Sequence, residues 1–126
     1  MLFDLEPSSA EGRLIAQQMR EPKKAPTGSI NDRCPSDQIK FVVRHLYCYL
    51  KNETTTGSDR QAFLNPAILP HVKELGMQLY SQERGVFLMR VAYHCLHHLG
   101  QKHGTVQHGD LSTLNWAWNG IGEWRA

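Results

Sequence analysis

The chain has 126 residues, with 14 Lys and Arg against 12 Asp and Glu, a formal net charge of +2. That length fits one domain able to bury a core of its own, so folding needs neither disulfides nor a metal. The charge is too even for a dedicated nucleic-acid binder, and no apolar run approaches the ~20 residues that cross a bilayer.

The cysteines, Cys34, Cys48 and Cys95, are odd in number, widely spaced and without a CxxC pair. Such usage suits reduced thiols in a cytosolic protein. The opening "MLFDLEPSSAEG" lacks the basic region that precedes the apolar stretch of a signal peptide.

In chain order, residues 1–35 read as an N-terminal arm and residues 36–126 as a helical bundle domain. Within the arm, Ser8 and Glu11 have the spacing of a capping box, and Leu14, Ile15 and Met19 form a thin apolar stripe. A helix so short is marginal alone and needs a partner surface. Residues 21–35 carry three prolines and a glycine and are expected to be an extended linker. The arm is then either a mobile tail or a segment that docks onto a second subunit or a partner.

Residues 36–51 give the clearest helical pattern: Ser36 as N-cap, Asp37 in the first turn, and Ile39, Val42, Val43, Leu46 and Leu50 at helical spacing. Asn65-Pro66 predicts a single capped turn over 66–69, with a longer helix from Pro70 that turns Val72, Leu75, Leu79 and Tyr80 inward. Gly76 in its interior costs up to about 1 kcal/mol in propensity, which either permits a close helix crossing or is a flaw that packing overrides. Residues 85–99 are the most apolar segment and predict a central helix closed by Gly100. Asp110 is expected to cap a last helix with Leu111, Leu114 and Trp118 on one face, broken at Asn119-Gly120. The expected fold is all-α: four to five helices with an extended arm.

Residues 94–110, "HCLHHLGQKHGTVQHGD", hold five of the seven histidines. On a helix, His94 and His98 lie one turn apart, the spacing by which two imidazoles share one metal. His103, His108 or Asp110 would supply a third ligand if the connector folded back, so His94, His98, His103 and His108 are the candidate ligands for zinc or another divalent ion. The glutamate of an HExxH site is missing, and Cys95 points to the core, so the plainer reading is a solvated helix flank.

The run His108-Gly-Asp-Leu-Ser-Thr-Leu-Asn115 resembles the catalytic loop HGDLxxxN of aminoglycoside phosphotransferases. The resemblance implies Asp110 as the base for a substrate hydroxyl and Asn115 as a metal ligand. It covers eight residues. A phosphate-binding glycine loop and a later metal-binding aspartate are missing, so a turn and N-cap account for the run more simply. No GxSxG elbow or paired carboxylates point to another enzyme class.

Trp116, Trp118 and Trp124 all fall in the last eleven residues. Trp116 and Trp118 point about 160° apart on a helix, so one serves the core while the other faces out. These three are the candidate interface residues, since an exposed tryptophan is a typical binding anchor. The reading that results is a cytosolic helical interaction or regulatory module, homodimeric or bound to another protein, without enzymatic activity. Its alternatives are a metal-binding enzyme or sensor using the histidine cluster and a nucleic-acid-binding regulator.

Overall fold

Pro35 decides where the first long helix begins. A proline lacks the N–H that a first-turn residue would leave unpaired, and its fixed φ already suits a helix. The chain accordingly turns at Cys34, whose carbonyl accepts from the Gln38 N–H at 2.8 Å, one residue ahead of the proline and two ahead of the expected cap, Ser36. The computed structural model describes residues 10–20, 24, 26–30, 33–52, 62–83, 85–103 and 108–125, with backbone only at 10–13, 35, 51–52, 62, 103 and 108–110. The expected capping pair Ser8 and Glu11 lies outside these described residues and side chains.

Among the described residues the regular structure is entirely helical. Helix α1 spans Ala10–Gln18, α2 Pro35–Asn52, α3 Leu69–Tyr80, α4 Val86–His103 and α5 His108–Ala117, with a 3₁₀ turn at Ala62–Leu64. The pairing of α2 with α4 is the spine of the bundle. Helix α1 packs on α4, α3 on both spine helices, and α5 chiefly on the 3₁₀ turn. No helix is long and apolar enough to cross a membrane among the described residues.

The apolar periodicity explains most of the core. Ile39, Val42, Val43, Leu46 and Leu50 of α2 are all buried, as are Leu88, Val91, Ala92, Cys95 and Leu99 of α4. Each such side chain removed from water contributes about 1.5–3 kcal/mol before the entropy cost of ordering it. Helix α2 is covered more widely than its stripe implies, because Gln38, Phe41 and Tyr47 are buried too. Gln38 remains satisfied: its Nε2 donates to Gln82 Oε1 at 3.1 Å in the turn after α3.

The arm contributes to the same core. Ile15 and Met19 of α1 are buried, whereas Leu14 of the expected stripe faces out. Ile30 is buried as well, and Arg33 ties Thr27 to α2: its Nη2 donates to the Thr27 carbonyl and its guanidinium lies 4.7 Å from the Phe41 ring centroid. Helix α4 runs past Gly100, expected as its stop, to His103. Gly100 is buried inside the helix, where packing overrides its poor propensity.

Asn65 caps a turn as its spacing predicts. Its side-chain oxygen accepts from the Ala67 N–H at 2.9 Å and its carbonyl from Leu69 at 2.8 Å, and α3 follows at once. After α5 the chain closes with a tight turn. The Gly120 N–H donates to the Trp124 carbonyl at 2.9 Å, and Gly122 sits at φ +55° with the Tyr80 ring against it, where a side chain fits neither the backbone nor the space. That turn brings Trp124 back to the core.

Candidate functional site

The C-terminal tryptophans take two kinds of position. Leu111, Leu114, Ala117 and Trp118 line the inner face of α5, so Trp116, two positions before Trp118, falls on the outer face. Trp118 is fully buried, and its Nε1–H donates to the Val72 carbonyl of α3 at 2.9 Å. Trp124 stacks edge-on to it, ring centroids 5.2 Å apart at 87°, and lies 5.7 Å from Tyr93 of α4. Its Nε1–H donates to Asn115 Oδ1 at 2.8 Å, and the Tyr93 hydroxyl donates to the Leu111 carbonyl at 3.2 Å. The two buried indoles therefore lock α5 and the closing turn onto α3 and α4. Trp116 does none of this. It is 58% exposed, alongside only Leu14 and Met77 among the large apolar side chains described as exposed.

The histidines spread along α4. His94 is half-buried with its ring edge-on to Tyr93 at 5.7 Å, His97 is partly covered, and His98 is exposed. The side chains of His103, His108 and Asp110 lie outside the described residues. Among those described, no group of three His, Cys, Asp or Glu residues comes together to hold a metal ion. The run that resembles a phosphotransferase loop is helical from His108 to Ala117. Asn115, the metal ligand under that resemblance, spends its side-chain oxygen on Trp124.

Sequence spacing left unseen a cleft of about 330 Å³ between α2 and α3, rimmed by residues 28–30. His45, Tyr49, His71, Glu74 and Gln78 line it over an apolar floor of Phe41 and Leu75. The His45 ring leans on Phe41, centroids 4.6 Å apart. Burial pushes its pKa below the ordinary 6.5; a hydrogen bond to the Pro26 backbone works the other way, and the Arg33 charge lowers it further. The α2 and α3 residues of the cleft lie more than twenty positions apart in the chain, so no local motif announces them.

Comparison with known proteins adds no relative: no protein-family model, curated protein or solved structure matches the chain.

Proposed function

We propose that the chain is a protein-interaction module of the reducing cytosol. In this reading it pairs with a second copy of itself through the outer face of α5, and it carries out no chemistry of its own. The observation that carries the proposal is Trp116, 58% exposed in the last turn of a helix whose other described apolar residues are buried. Tryptophan is among the most buried side chains on average, and when solvent-facing on a rigid element it is a strong interface anchor. A two-fold contact sets the same patch against itself, so each Trp116 packs beside the other copy's α5. Leu14 and Met77 are single exposed apolar residues of the kind every surface carries. Three free thiols, two of them buried, suit a compartment that keeps cysteine reduced.

Light scattering on the full chain tests this directly. The expected mass is twice the 14.4 kDa of one chain, unchanged by EDTA and halved by Trp116→Glu with the helical circular dichroism intact. A monomeric wild type, or a Trp116→Glu dimer as tight as wild type, overturns the proposal. Dissociation by EDTA would give the histidine flank of α4 the metal role instead.

A further inference from the structure

A second cavity, of about 210 Å³, opens beside the aromatic corner. Arg90, Tyr93 and His94 of α4, Asn115 of α5, and Trp124 and Arg125 of the closing turn line it. No carboxylate is among these residues. The larger cleft between α2 and α3, by contrast, sets Glu74 among two histidines and favours neither sign of charge.

The hydrogen bonds already made decide what the lining residues still offer. Arg125 Nη1 donates to the carbonyls of Gly122 at 3.1 Å and Trp124 at 2.9 Å, which fixes the guanidinium against the turn and leaves its other N–H groups to a ligand. Arg90 is exposed, one turn before His94, and no hydrogen bond or ion pair among the described residues engages it. The Asn115 side-chain oxygen is taken by the Trp124 N–H, so its amide nitrogen, a donor, is the end that remains. The Tyr93 hydroxyl is committed to the Leu111 carbonyl. What is left is two positive forks and an amide donor, flanked by the Tyr93 and Trp124 rings.

We infer that this cavity binds the phosphate group of a small organic phosphate monoester. Two guanidiniums match the dianion in charge and in bidentate geometry. Asn115 Nδ2 adds a neutral donor, and the apolar body of the ligand lies along Tyr93 and Trp124. The volume falls below the roughly 300 Å³ at which pockets for drug-sized molecules begin, so the cavity encloses a phosphate and about one ring. Trp116 is not among the residues that line the cavity.

Phenyl phosphate is the probe, titrated into the full chain at constant ionic strength with Trp emission and amide chemical shifts as readouts. A saturable response is expected, with shifts at residues 90–94, 115 and 124–125. Binding should weaken roughly tenfold or more in Arg90→Ala and in Arg125→Ala, the size expected when one charged hydrogen-bond partner is lost. Lys73→Ala, which removes an exposed charge from α3, should leave it unchanged, and melting curves establish that each variant is folded. A response that does not saturate, equal weakening by Lys73→Ala, or equal binding of phenol each overturns the inference. Benzoate binding as tightly as phenyl phosphate overturns the assignment to phosphate.

Discussion

Gly76 of α3 lies directly beneath the Trp118 indole: a methyl group at Gly76 would sit 2.5 Å from Nε1 and 2.7 Å from Cδ1. The same nitrogen donates to the Val72 carbonyl, one turn earlier on α3. The glycine is therefore what lets the indole reach the α3 backbone, and its cost in helix propensity is offset by a fully buried aromatic side chain.

Gly76→Ala should destabilise the fold by about 1–3 kcal/mol, the usual range for overpacking a rigid core. The decisive measurement is a double-mutant cycle by urea denaturation. Phenylalanine at 118 lacks the pyrrole edge that meets the new methyl, so Gly76→Ala should cost clearly less in a Trp118→Phe background. Strict additivity would show that the contact is not the source.

Asn115 should behave as a structural acceptor. Asn115→Asp keeps an oxygen for the Trp124 N–H and should stay near wild-type stability, while Asn115→Leu should lose about 1 kcal/mol. The loss is limited because the Asn115 carbonyl also accepts from Trp124, at 3.2 Å. Thermal melts of the two variants give the comparison, and equal melting temperatures would count against it.

Stability should fall in mild acid, and His45 should carry part of the fall. Its folded pKa lies below 6.5, chiefly through burial, so the unfolded chain takes up the proton first as pH drops. The contribution is fully present above pH 6.5 and is lost as pH falls through that value toward the folded pKa. Urea midpoints at pH 7.5 and 5.5 should differ less in His45→Gln than in wild type. A wild-type-sized difference in the variant would place the pH response elsewhere.

Thiol labelling should separate the cysteines. Cys34 is exposed at the start of α2, with its Sγ 3.2 Å from Asp37 Oδ2. Cys48 and Cys95 are buried, and burial pushes the Cys95 thiol up to about 12 despite the positive charge of Lys40. Iodoacetamide at neutral pH should modify one thiol in the native protein and three after denaturation, counted by intact mass. Rapid native labelling of Cys95 would contradict its placement.

The helices were legible where one face alternates with the other. Val72, Leu75 and Leu79 repeat at helical spacing and are buried as that repeat implies, and the two-residue offset of Trp116 and Trp118 foretells one indole out and one in. Legibility failed where more than one partner covers an element. Tyr47 and Gln38 lie off the main stripe of α2 and are buried because α2 is packed on several sides. Phe63 is fully buried in a 3₁₀ turn too short to show any period. Gly76 admitted two readings until the indole above it was seen. The basic cavity was hidden for a different reason: Arg90 and Arg125 lie far apart in the chain, and only the turn at Gly122 brings their ends of the fold together.

The burial of α2 bears on how the polypeptide is made. Its main partner, α4, ends at His103, about 50 residues after Asn52. At roughly 5–20 residues per second of synthesis, the apolar face of α2 waits several seconds before its covering helix has been added. A transcript truncated between these helices would release a fragment with that surface permanently bare. Such fragments should be prone to aggregate, because the surface that α4 covers in the full chain has no other partner in them.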